Sequence, residues 1–176
     1  MKTRMLCFAL LVTLVSLAGC DGTATPAASS TPTSDPFAYC AAVGTIDAPD
    51  AAYTGPEVPE SVAEGLRDAL NVPETPLDVL QNGTSWRCMK GEVYACFVGA
   101  NLPCEAQANT DRTPTVEAED FCRENPEADV VPAAVTGHET VYTWRCSEGV
   151  PEVVEQVFHP DAQGFLSEFW YQISSD

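Results

Sequence analysis

Trp-Arg-Cys is written twice in this chain. Each time two residues and a glycine follow: Trp86-Arg87-Cys88-Met89-Lys90-Gly91, then Trp144-Arg145-Cys146-Ser147-Glu148-Gly149. On a strand, the tryptophan and cysteine of such a triplet point to one face and the arginine to the other. Each copy therefore predicts a strand with a cystine and its tryptophan inside and a cation on the opposite face. Two more landmarks recur in the same order. An aromatic residue precedes a cysteine in Phe37 to Cys40 and again in Phe121-Cys122, and Val-Pro-x-x-Val occurs at Val58 to Val62 and at Val131 to Val135. Repetition in a common order predicts a tandem duplication.

The cysteines carry the duplication further. Cys7 and Cys20 belong to the front of the chain, which leaves Cys40, Cys88, Cys96, Cys104, Cys122 and Cys146. An even number in an exported chain reads as a disulfide framework. Equivalent cysteines should pair equivalently, so Cys40 pairs with Cys88 and Cys122 with Cys146. Cys96 and Cys104 have no counterparts in the second half and pair with each other. A zinc site needs closely spaced ligand pairs. The closest spacing among these six is eight residues, so no metal is expected.

Export is written at the start. Lys2 and Arg4 precede an apolar run from Met5 to Leu17, and small residues lead to Cys20. That is a leader with charged, apolar and processing regions, and its apolar run is short for a spanning helix. Leu17-Ala18-Gly19-Cys20 is similar to the lipobox of bacterial lipoproteins. The resemblance implies cleavage before Cys20 and a lipid on its thiol and amino group. Two or three acyl chains anchor stably where one does not. Asp21 to Asp35 is Thr, Ala, Ser and Pro without a large apolar residue, a composition that makes a flexible tether rather than a core. The expected organisation is a signal peptide over 1–19, a lipidated end and tether over 20–35, one unit over 36–109 and a second over 110–176.

Within the first unit, Asp35-Pro36 caps a short helix through Cys40 that Gly44 ends. A second helix lies in Val58 to Pro73, with Ser61 and Glu64 as a capping box and Val62, Leu66, Ala69 and Leu70 on one face. A third starts at Thr75-Pro76 and stops before Gly83. Strands over Thr84 to Met89 and Glu92 to Val98 flank Lys90-Gly91, a two-residue hairpin signal. The order then restarts: a helix over Thr113 to Asn125 ended by Pro126, a helical turn over Val130 to Gly137, and strands over Glu139 to Cys146 and Val150 to Phe158. A turn at His159 to Gly164 leads to a last strand, Phe165 to Ile173. The fold class is α+β: two tandem helix-helix-antiparallel-strand units, each with a helix-to-strand disulfide. This element order and cystine placement resemble the β-lactamase inhibitory protein, and the single-unit lipoproteins of outer-membrane assembly are similar. Fold likeness does not fix function, and no binding residue is carried over.

The formal net charge is −18, and removing the two positive charges of Lys2 and Arg4 with the leader leaves −20. Such a chain repels nucleic acid and anionic lipid surfaces. No Gly-x-Ser-x-Gly elbow, Gly-rich phosphate loop or Asp-x-Asp-x-Asp-Gly calcium loop occurs. The two histidines, His138 and His159, lack helical zinc spacing, and no catalytic residue or cofactor is expected. Phe165 to Ile173 and Val150 to Phe158 carry apolar residues on both faces. Either helices or the other unit cover both faces, or one face is left for a partner; in the second case Trp170, Leu166 and Arg145 are the candidate partner-binding patch, since aromatics and arginine anchor interfaces. The expected function is a non-catalytic envelope lipoprotein that binds a protein or cell-wall partner, held to the bilayer by its acyl chains. An inhibitor of an exogenous enzyme (protease, lysozyme or lactamase) is the first alternative and an envelope hydrolase the second.

Overall fold

The computed structural model describes residues 31–98 and 103–175. The leader, Cys20 and most of the tether lie outside the described residues. The chain order is α1 (Pro36–Val43), α2 (Glu60–Ala69), α3 (Leu77–Gly83), β1 (Thr84–Met89) and β2 (Glu92–Phe97), followed by α4 (Val116–Glu124), α5 (Ala133–Thr136), β3 (Tyr142–Ser147), β4 (Val150–Gln156), a 3₁₀ turn at Ser167–Phe169, and β5 (Tyr171–Ile173). The fold is α+β. No helix among the described residues is long and apolar enough to cross a membrane.

The three disulfides are Cys40–Cys88, Cys96–Cys104 and Cys122–Cys146. The first and third tie a helix to a hairpin strand, α1 to β1 and α4 to β3. The two hairpins repeat down to the backbone. Lys90 and Gly91 have φ of 56° and 88°, and Glu148 and Gly149 have 52° and 80°, the type I′ geometry that matches strand twist. The residue four after each helix cysteine accepts from the turn glycine: Gly91 N donates to Gly44 O at 2.7 Å, and Gly149 N to Pro126 O at 3.1 Å. The residue six after it accepts from the strand cysteine: Cys88 N to Ile46 O at 3.0 Å, and Cys146 N to Ala128 O at 2.8 Å. Pro59 and Pro132 stand at the N-caps of α2 and α5, behind the buried Val58 and Val131.

Each unit buries its own core. In the first, Cys40, Cys88 and Trp86 pack with Tyr39, Val62, Leu66 and Leu80. Trp86 meets Tyr53 and Tyr39 edge to face at 4.9 and 6.0 Å between centroids, and its indole N–H donates to Glu57 O at 2.7 Å. In the second, Cys122, Cys146 and Trp144 pack with Ala118, Val131, Val141 and Leu166.

Several local expectations are corrected. Asp35 caps α1 as expected, its Oδ1 accepting from Phe37 N and Ala38 N. The Ser61–Glu64 capping box does not form. Pro59, in extended geometry, is the N-cap of α2, two residues before Ser61, and the buried stripe is Val62, Ala63 and Leu66, with Ala69 in solvent. Gly83 closes α3 from inside, because a side chain there would strike the Phe97 ring of β2. The tether ends sooner than residue 35: Thr33 N donates to Ala52 O at 3.0 Å and Thr33 O accepts from Thr54 N at 2.9 Å. Ala108 and Asn109 hydrogen-bond to Gly164, Glu139 and Val141, so their backbone lies along the second unit.

The largest correction concerns the last strand. The stretch 165–173 is not one strand of the second sheet. It bends through the 3₁₀ turn, and β5 crosses to pair with β2, Val93 opposite Ile173 and Ala95 opposite Tyr171. The sheets are β1-β2-β5 and β3-β4. The end of the second unit thus completes the sheet of the first.

Candidate functional site

Arg87 and Arg145 occupy equivalent hairpin positions and meet opposite fates. The segment that carries the chain from β4 to β5 lies over the outer face of β1 and β2. Arg87 is fully buried beneath it. Its Nη2 pairs with Asp161 Oδ2, and its Nη1 donates to Gln163 Oε1 at 3.0 Å. The guanidinium carbon lies 4.5 Å from the centroid of the Phe165 ring and 4.2 Å from that of Trp170. Burial alone would raise the pKa of Asp161. The hydrogen bond from Arg87, those from Gln163 N and Phe165 N, and the Arg87 charge outweigh it and hold the carboxyl below its usual range.

Arg145 has a side-chain exposure of 55% and pairs with Glu152 across its own hairpin at 3.0 Å. The difference lies in the cross-strand neighbour. Opposite Arg87 stands Tyr94, which cannot neutralise it; opposite Arg145 stands Glu152, which does. The free edge of the second sheet is also blunted. Pro151, opposite Cys146, takes the place that Val93 takes opposite Cys88, and proline offers no N–H to an added strand.

The structure does not bring Trp170, Leu166 and Arg145 together as one contact patch. Leu166 is 1% exposed in the second core, and Trp170 is 8% exposed in a third cluster with Cys96, Cys104 and Phe165. Both faces of this terminal stretch are apolar because it spans two cores. Arg145 stays outside with Glu152.

At the seam between the units lies an open cleft of about 570 Å³. Trp86, Phe165, Trp170, Val58, Ala48 and Pro49 contribute its apolar surface. Asp47, Glu57 and Glu105 contribute carboxylates, and Thr84, Ser85, Gln107 and Cys104 complete the lining; it contains no Lys, Arg or His. Asp47 and Glu57 come from the connection between α1 and α2 and Glu105 from that between β2 and α4, and all three stand exposed. Asp47 Oδ1 accepts from Gln163 Nε2 at 2.5 Å, and Glu105 Oε1 accepts from Ser85 Oγ at 3.2 Å. Among the described residues none of the three has an ion-pair partner. The Cys96–Cys104 bridge, absent from the second unit, holds the loop that delivers Glu105. Sequence reading missed this set because nothing in the chain joins the acids of the α1–α2 connection to the distant Glu105. The Asp161-Ala162-Gln163-Gly164 turn was visible only as a turn; its role as the partner of Arg87 was not.

Of the two histidines, His159 Nδ1 lies 2.9 Å from Glu168 Oε1 on the surface, and His138 is exposed. Among the described residues no group of three His, Cys, Asp or Glu side chains is placed to hold a metal ion. No family model, curated protein or solved structure matches the chain.

Proposed function

We propose that this chain is a non-catalytic lipoprotein of the bacterial cell envelope, anchored through Cys20, that binds a protein or cell-wall partner in the cleft between its two units. The observation that carries the reading is the cleft itself. It joins apolar surface to convergent polar groups at the junction of two units, where binding sites commonly form. Its walls are braced from both sides by the buried Arg87–Asp161 pair and the Cys96–Cys104 bridge. Binding suits it better than hydrolysis. A carboxyl that donates a proton near neutral pH has to be held out of water, whereas Asp47, Glu57 and Glu105 are exposed.

Photo-crosslinking in the intact envelope tests the proposal, with the reactive group placed at Ala48 in the cleft or at Val154 on the bare face of β4. Specific adducts from position 48, lost when Ser85→Trp fills the cleft, are expected. Adducts from position 154 alone would move the site to the second hairpin. Turnover on a panel of envelope hydrolase substrates, abolished by Glu57→Gln or Glu105→Gln, would replace binding by catalysis. Capture of an exogenous protease, lysozyme or lactamase in place of any resident partner would make the chain an inhibitor.

A further inference from the structure

Resting on the cleft as the binding site, we infer that its ligand is a basic polypeptide segment, one that inserts lysine or arginine side chains. The argument is a match of shape and charge. A basic side chain has an apolar stem and a cationic head, and the stem packs on apolar surface while the head stays at a polar rim. Here Ala48 and Pro49, with what the largely buried Trp86, Trp170 and Val58 still expose, make a surface for the stem, and Asp47, Glu57 and Glu105 place negative charge around it. The guanidinium of Arg87, which packs against Phe165 and Trp170, is buried and already paired, so it does not offset that charge. Phe165 and Trp170 each have a face engaged by the buried Arg87, so what they present to the cleft serves as apolar wall and the carboxylates supply the attraction. The acids are not clustered tightly enough to cage a compact metal ion. Their spread over two loops, with the three not placed to share one ion, suits a segment carrying more than one cation. The surplus of negative charge over the whole chain adds long-range steering of a basic partner.

Calorimetric titration of the mature protein checks this with three probes: a capped pentapeptide bearing two arginines, its counterpart bearing two glutamines, and a free triamine. The arginine peptide is expected to bind, with an affinity that falls as salt is raised. The glutamine peptide should not bind, and the triamine should bind more weakly for want of a peptide backbone and side-chain stems. The double variant Glu57→Gln/Glu105→Gln should weaken the arginine peptide by about fivefold or more. Glu124→Gln/Glu127→Gln, which removes the same charge outside the cleft, should leave it unchanged. Equal losses from the two double variants would reduce the effect to net charge and overturn the inference, as would equal binding of the glutamine peptide or the triamine. If cleft-dependent crosslinks form in the envelope but the arginine peptide does not bind, the cleft is the site and its ligand is not basic. If the peptide binds and no cleft crosslink forms, the cleft accepts cations but the proposed partner reading fails.

Discussion

The guanidinium of Arg87 on β1 is paired with the carboxylate of Asp161, which lies 74 residues away in the return from β4 to β5. Both are withdrawn from water, and each comes from a different unit. A buried pair adds little net stability over a well-packed apolar pair, but removing one partner strands a charge in the interior. The pair therefore acts as a register lock between the units rather than as a store of binding energy.

Removing one side of this lock should be costly. Asp161→Ala is expected to lower unfolding stability by about 3–5 kcal/mol, read from denaturant midpoints. Arg145→Ala, at the equivalent position of the second hairpin, breaks an exposed pair and should cost about 1 kcal/mol or less. A double change, Arg87→Met/Asp161→Leu, should recover most of the Asp161→Ala loss.

The same pair sets an acid limit. The folded carboxyl of Asp161 is held below its ordinary value, so it contributes stability above the unfolded pKa of about 3.9 and loses it as pH falls through the lower folded value. Stability should be nearly level from pH 5 to 8 as far as this group is concerned, then fall below about pH 4. Asp161→Asn should flatten that acid limb, which thermal unfolding across pH 2–7 would measure.

The disulfides should rank by the loop that each closes. Sequence separations of 48, 24 and 8 residues predict losses of about 4, 3.5 and 2.5 kcal/mol when paired Cys→Ser changes remove Cys40–Cys88, Cys122–Cys146 and Cys96–Cys104 in turn. Loss of the last should weaken cleft binding as well, because that bridge positions Glu105. Unfolding curves give the ranking, and titration with the arginine peptide gives the second effect.

Gly65 on α2 provides a test of β5. In an exposed helix Gly→Ala stabilises by about 1 kcal/mol. At this position an added methyl would strike the side chain of Ile173, which is buried where β5 docks. Gly65→Ala is therefore expected to destabilise by about 1–3 kcal/mol, and the Ile173→Ala background should relieve part of that loss.

Much of the local architecture was legible in the residues because its causes are local. The Lys90-Gly91 turn, the Asp35 cap, and the helix-to-strand bridges implied by two copies of Trp-Arg-Cys all rest on chemistry within a few positions or on repetition. The misplaced α2 cap is a near miss of the same kind: the Ser61–Glu64 pattern marks the right turn of chain, and the helix starts at Glu60 behind Pro59. The candidate site was not legible. Asp47, Glu57 and Glu105 are ordinary surface acids until the fold draws two loops together, and whether Trp170 packs inside or anchors a partner stays open until Arg87 is seen against it.

By themselves, the residues determined that the chain contains two like hairpins, each sealed on its Trp/Cys side. Side-chain alternation and the chemistry of sulfur leave little choice there. Which of the two arginines would be buried was decided by the tertiary structure alone. That outcome depends on where residues 161–173 go once both hairpins exist. They cover the hairpin whose arginine lacks a cross-strand acid and leave bare the one where Glu152 already supplies it. Desolvating a charge is tolerable only where a partner can be delivered, and that delivery is a property of two distant segments meeting in space.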